Sequence, residues 1–213
     1  MIMTNVIAIK RPRGRPRKDD DEINVIRENL IRAGVVALTE KGFASTGLDE
    51  ILKSVGVPKG SFYYYFENKE TFGLALIDNY AQYFQKRLDR CYQNNSITPL
   101  ECIAKFMIDS QSSMARYDYR RGCLIGNLGQ EMAVLPDSYR QKLIDVFRSW
   151  QKQTADCLRR AIQAGELSPE INCDEMAEVF WTGWEGAVLR AKLEKTSKPL
   201  QFFGTFFLNS LRK

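Results

Sequence analysis

The chain contains no histidine, which removes the commonest general base, a frequent metal ligand and the side chain that titrates near neutral pH. A cysteine nucleophile would lack its usual base. No paired-carboxylate or metal-ligand spacing offers another route to catalysis, so the sequence is read as that of a non-enzyme with neither cofactor nor metal. Cysteines stand only at 91, 102, 123, 157 and 173. An odd, scattered set without a C-x-x-C pair argues against a zinc site or a disulfide framework. No run approaches the ~18 uninterrupted apolar residues of a membrane span, and the N-terminus lacks an apolar segment followed by a cleavage site. The expectation is a cytoplasmic protein with no membrane partner. Internal repeats and the period-2 alternation of strands are also missing. The glycines of the stretch 120–131 match neither G-x-G-x-x-G nor the Walker spacing.

What is present is basic, helical and aromatic. The formal charge of +5 is unevenly spread. Residues 23–75 hold six Lys/Arg and six Asp/Glu, whereas Lys10 to Lys18, KRPRGRPRK, places six positive charges among nine residues. Two prolines and a glycine exclude a helix there. The core Arg13-Gly14-Arg15-Pro16 resembles an AT-hook, and an extended Arg-Gly-Arg suits the narrow, electronegative minor groove of A·T-rich DNA. A basic tail for any polyanion, or a localisation signal, is the competing reading. Residues 1–22 are accordingly expected to be a flexible basic arm, closed by an acidic break at Asp19 to Glu22.

An amphipathic helix over Ile23 to Lys41 follows, with Ile26, Leu30, Ala33 and Ala37 on one face and Gly42 as its stop. Thr46 to Phe72, TGLDEILKSVGVPKGSFYYYFENKETF, then predicts a helix, a tight turn and a short second helix. Thr46 is expected to cap the first with Asp49 as its capping-box partner, and Leu48, Ile51, Leu52 and Val55 form its apolar face. Gly56 and Pro58 end it. The second opens at Pro58-Lys59-Gly60-Ser61, an N-terminus suited to a phosphate. Phe62 and Phe66 face inward and Tyr63, Tyr64 and Tyr65 outward, where their hydroxyls can meet phosphates and base edges.

These residues resemble the TetR-type one-component transcriptional regulators over Ile26 to Leu76. The resemblance implies that Thr46, Lys59, Gly60, Ser61, Tyr63, Tyr64 and Lys69 carry DNA contacts, and that a homodimer binds a palindromic double-stranded operator. The family often has His at the place of Tyr64, so this contact is expected to be insensitive to mild acid.

The whole chain is expected to be all-α: a helix-turn-helix DNA-binding head at 23–75 and an effector-binding and dimerisation domain at 76–213. A helix from about Asn68 to Cys91 links the two. The last two helices carry Phe180, Trp181, Trp184, Phe202, Phe203, Phe206 and Phe207, with Gly183, Gly186 and Ala187 permitting close approach, as a helix pair that meets its symmetry mate would. The stretch Arg120 to Glu131 puts Cys123 after Arg120, Arg121 and Gly122 at a helix start, where cations and dipole would favour a thiolate. An inert buried thiol is the alternative. Together with Trp184 to Leu193, this stretch is similar to the branch of TetR-type repressors that respond to reactive electrophiles, oxidants or acrylate. That resemblance implies a Cys123–Lys192 pair and a small-molecule effector, with Arg120, Arg121 and Trp184 around it. A non-covalent ligand, or an architectural A·T-rich DNA-binding protein, remains the alternative function.

Overall fold

The computed structural model describes residues 20–212. The AT-hook-like segment with Arg13 and Arg15 lies outside the described residues. Within them the chain is entirely helical: α1 (Asp20–Lys41), α2 (Leu48–Ser54), a 3-10 turn (Lys59–Ser61), α3 (Phe62–Tyr65), α4 (Lys69–Tyr92), α5 (Pro99–Arg116), α6 (Leu124–Gln130), α7 (Asp137–Gln163), α8 (Cys173–Glu194) and α9 (Lys198–Ser210).

Helix α1 begins three residues before the expected start, because Asp20, Asp21 and Glu22 form its first turn, where they complement the helix dipole. Gly42 ends it at φ +80° and Gly56 follows α2 at φ +68°, both in the left-handed region that glycine tolerates. The expected Thr46 cap is not formed. Helix α2 starts at Leu48 behind Gly47, with no side-chain cap. The Thr46 hydroxyl donates backwards to the Gly42 carbonyl at 2.6 Å, and Asp49 is held by the Lys59 ammonium at 2.8 Å. Both groups have better partners than a cap.

Helix α4 has the strongest start signal. Asn68 accepts from the Thr71 N–H while the Thr71 hydroxyl accepts from the Asn68 N–H, a reciprocal capping box. Phe62, Phe66 and Phe72 are buried and pack ring on ring at 4.7 to 5.7 Å, which locks α3 onto the first turn of α4. Tyr65, expected outside, is only partly exposed and packs against this core. Phe43, just after α1, meets Tyr139 of α7 edge-on at 6.1 Å.

The core beyond α4 is built on aromatic rings from four helices. Trp150 and Trp181 lie 4.9 Å apart, with Phe84, Phe106 and Phe180 around them. The Thr154 hydroxyl donates to the Trp150 carbonyl and accepts from Trp181 Nε1 at 2.9 Å, so the buried indole N–H is satisfied. Of the α8 and α9 aromatics, Phe180, Trp181, Trp184 and Phe207 are buried within this core. Gly183 is small because Phe203 fills the space its Cβ would need. Phe202 and Phe206 behave otherwise, at 77% and 61% exposed on α9, with Val179, Leu189 and Leu193 exposed on α8.

Candidate DNA interface and effector pocket

The short helix α3 and the turn before it form one exposed edge of the head. Tyr63 and Tyr64 are 67% and 57% exposed although large and aromatic, and Gly60 opens onto empty space, where a side chain would touch nothing of the protein. An external surface is what a glycine there would accommodate. Lys69 is exposed in the first turn of α4, and Ser61 and Thr46 are partly exposed. Lys59 is tied to Asp49, which raises its pKa through a hydrogen bond and charge attraction. To reach a phosphate it must exchange that partner, a small cost for so exposed a pair.

On the other side of α1 lies a cavity of about 500 Å³, lined by α1, α4, α5, the α5–α6 segment and α8. Cys123, Trp184 and Arg121 are on its wall. Asp118 and Tyr119, at φ +52° and +53°, turn the chain after α5 and bring Gly122 and Cys123 against α1. Cys123 is the N-cap of α6, its sulfur accepting from the Gly126 N–H at 3.5 Å.

The thiol is not the ionised group that the sequence suggested. Burial and the carboxylate of Glu185 push its pKa well up. The cations have other partners. Arg120 is exposed. Arg121 donates to Glu40 at 2.9 Å and stacks on Tyr117 at 3.9 Å. Lys192 donates to the carbonyls of Thr39 and Glu40 at 3.2 and 3.0 Å, and burial lowers its pKa. It caps the end of α1 and is not directed at the sulfur. The neighbours of Cys123 on the cavity wall are Tyr80 and Glu185, whose phenol and carboxylate lie close enough to perturb the thiol. Both residues are half-buried and line the cavity. Burial raises Tyr80 well above its ordinary value and carries Glu185 up to about 7.

Neither residue stands out in the sequence. The available signal was a lone carboxylate on the buried Trp181-Trp184 face of α8. Arg87 gave no signal either. Its guanidinium lines the cavity, donates to the Ser110 hydroxyl at 2.7 Å, lies 5.7 and 5.6 Å from the Phe84 and Phe106 rings, and has no acidic partner among the described residues.

Helix α6 runs from this cavity to the head. At its start the Gly122 N–H donates to the Thr39 carbonyl at 3.1 Å, and the Asn127 amide donates to the carbonyls of Leu38 and Thr39, both at 3.2 Å. Just past its end the Glu131 carboxylate accepts the N–H groups of Phe43 and Ala44, at 2.9 and 2.6 Å. Gly42 must be a glycine beside it, because a Cβ there would overlap that carboxylate. One short helix thus has the cavity at one end and the turn leading into α2 at the other.

An exposed helix-turn-helix edge on an all-helical body points to a DNA-binding regulator. Comparisons place it more narrowly. Residues 30–76 match the family model described as bacterial regulatory proteins, tetR family, and residues 99–207 match the tetracyclin repressor-like C-terminal domain. The chain is 52% identical over 198 residues to the transcriptional regulator AcuR of Cereibacter sphaeroides, covering 93% of this chain and 90% of that protein. It is 29% identical over 182 residues to the repressor NemR of Escherichia coli, covering 82% and 88%. A crystal structure of regulatory protein TetR from Rhodobacter sphaeroides superposes with a TM-score of 0.84 at 51% identity, covering 87% of this chain and 98% of that one. Reduced NemR from E. coli superposes at 0.80 and 27% identity, covering 87% and 96%. The chain belongs to the TetR family of bacterial transcriptional regulators and is not an enzyme. Among the described residues no helix is long and apolar enough to cross a membrane.

Proposed function

We propose that this chain is a homodimeric repressor that leaves a palindromic operator when a small electrophilic, acrylate-like molecule enters the cavity and is captured by Cys123. The head at 23–75 presents Lys59, Gly60, Ser61, Tyr63, Tyr64 and Lys69, with Thr46 behind them, to the major groove. A two-fold dimer sets two copies of α3 in successive grooves roughly 34 Å apart. The exposed apolar faces of α8 and α9, with Phe202 and Phe206 at their centre, are the surface a second copy would cover. Residues 76–213 form the effector and dimerisation domain.

The observation that carries the reading is the position of Cys123, on the wall of the cavity at one end of a helix whose other end holds the α1–α2 turn. Its volume is ordinary for a ligand pocket. Arg87, held in place and without an acidic partner among the described residues, suits the carboxylate of an unsaturated acid. Addition of the thiol across the carbon–carbon double bond puts sulfur on the β-carbon and the thiol proton on the α-carbon. The adduct adds bulk at the α6 N-cap and moves the helix.

The burial of the thiol favours a second reading, in which the effector binds the same cavity without bond formation. A gel shift with Cys123→Ser decides between them. Covalent capture expects normal operator binding by the variant and no release by acrylate or methyl vinyl ketone. Release as ready as wild type would sink the covalent mechanism and leave the non-covalent one.

A further inference from the structure

A neutral buried thiol is a weak nucleophile and needs a base at the moment of attack. The sequence offers no histidine, and the geometry removes the cations that were candidates for ionising Cys123. Lys192 donates to two backbone carbonyls, Arg121 is paired with Glu40, and Arg120 faces outward. What lies beside the thiol on the cavity wall is a carboxylate and a phenol.

We infer that Glu185 takes the proton from the Cys123 thiol as the sulfur attacks and returns it to the product, while the Tyr80 hydroxyl holds the sulfur in line. This rests on the covalent reading of Cys123. The S–H bond breaks and its proton passes to the Glu185 carboxylate as the sulfur pair forms the bond to the β-carbon. The π electrons move to the α-carbon and its carbonyl as an enolate, which takes the proton back from Glu185. The net change is addition of S–H across the double bond. Glu185 ends as it began, and no oxidant or reductant is required.

The fold accommodates this contact at one further position. A Cβ on Gly126 would overlap the Glu185 carboxylate, so the glycine makes room for it against the first turn of α6. The charged and titratable groups lining the same space are Tyr80, Tyr83 and Arg87 of α4, Arg32 of α1, Tyr117, Arg121 and Cys123 of the α5–α6 segment, and Glu185 itself on α8. Only Cys123 acts directly on the Glu185 carboxylate; burial does the rest and sets its pKa at about 7. A base with that pKa is half ionised at neutral pH and efficient there.

The experiment uses the full chain and methyl vinyl ketone, with the adduct at Cys123 followed by peptide mass spectrometry from pH 5.5 to 9.5. Wild-type rates are expected to rise about tenfold per pH unit and level off near pH 7, two units below an ordinary thiol profile. Glu185→Gln removes that inflection and slows the reaction at pH 7 by about 10²-fold, the lower end for general base catalysis. Gly126→Ala displaces the carboxylate and also slows it, whereas Tyr80→Phe keeps the inflection. Operator binding without probe checks that each variant is folded. Unchanged rate and profile in Glu185→Gln would overturn the inference, as would a wild-type rate that climbs through pH 9 without a break, a result that needs no variant. Absence of any wild-type adduct at Cys123 would remove the covalent reading and this inference together.

Discussion

Replacing Glu131 by Gln tests whether α6 grips the head. Its carboxylate accepts two backbone N–H groups at the α1–α2 turn, from Phe43 and Ala44. Glutamine keeps the shape but has one acceptor oxygen, and its NH₂ would face the second N–H, donor against donor. A hydrogen bond to a charged acceptor contributes about 1.5–3 kcal/mol. Here one such bond disappears and the other weakens, while Ala44 is exposed enough for water to take over part of the loss. A destabilisation of about 2 kcal/mol is expected, which lowers Tm by about 4–8 °C for a chain of this size.

The assay is thermal unfolding at fixed protomer concentration, since dimerisation makes Tm concentration-dependent. A parallel gel shift measures operator affinity with and without methyl vinyl ketone. The variant should melt lower and show a smaller effector-dependent change in affinity. A melting point within about 1 °C of wild type, together with a full effector response, would refute the idea that this carboxylate ties cavity to head.

On the DNA side, Tyr63→Ala and Lys59→Ala should each weaken operator binding, and removing residues 1–18 should flatten the slope of log K against log salt by about one unit for each phosphate that the arm neutralises; an unchanged slope would show that the arm does not touch DNA. Phe202→Asp with Phe206→Asp should shift the protein to monomers in analytical ultracentrifugation without lowering its helix content, since both rings are exposed; a persisting dimer would place the interface elsewhere. Glu185 has a native pKa raised to about 7, above the unfolded value near 4.5. The native state therefore binds the extra proton between those values, and the contribution of Glu185 to stability is full below about pH 4.5 and disappears as pH rises through 7. Relative to wild type, Glu185→Gln should gain stability from pH 5 to 8 in urea unfolding, and a difference independent of pH would contradict the raised pKa.

Local chemistry makes the helices legible. The Asn68 start of α4, the glycine stops at 42 and 56, and the inward pair Phe62 and Phe66 are all decided within a few residues. Thr46 misleads for the same reason in reverse: its hydroxyl has two local choices, and tertiary placement of α1 selects the Gly42 carbonyl. The cavity is legible only at Cys123, Arg121 and Trp184, because most of its other walls come from α1, α4 and α5. Proximity in sequence puts Arg120 beside the thiol, but the left-handed turn at Asp118 and Tyr119 carries the arginines elsewhere. Glu185 and Tyr80 meet the sulfur from helices far away in the chain, and no periodicity announces that. The α8–α9 aromatics divide between core and surface because rings of α4, α5 and α7 pack on Phe180, Trp181 and Trp184, while Phe207 packs on Phe180 and Phe203.

Of the contacts that join the body to the head among the described residues, two can be loosened one at a time, and the coupling between them is measurable. One is Glu131 on the α1–α2 turn. The other is Tyr139 of α7, whose hydroxyl donates to the Lys69 and Glu70 carbonyls at 3.4 and 3.2 Å in the first turn of α4, where Gly73 is small because a Cβ would overlap that hydroxyl. Phe62, Phe66 and Phe72 bind α3 to that same turn. If the head moves as one body, an adduct at Cys123 cannot shift the α1–α2 turn without also straining the Tyr139 hydrogen bonds. A tenfold loss of operator affinity needs about 1.4 kcal/mol of coupling, and only the difference in effector affinity between the bound and released states can supply it. Tyr139→Phe leaves the ring in place and loosens the second grip; Glu131→Gln loosens the first. In a double-mutant cycle on the effector-induced affinity change, a rigid head makes the two effects non-additive by at least about 0.5 kcal/mol. Effects that simply add would mean that α6 and α7 act on the head independently, and that the head deforms rather than rotates when the effector is captured.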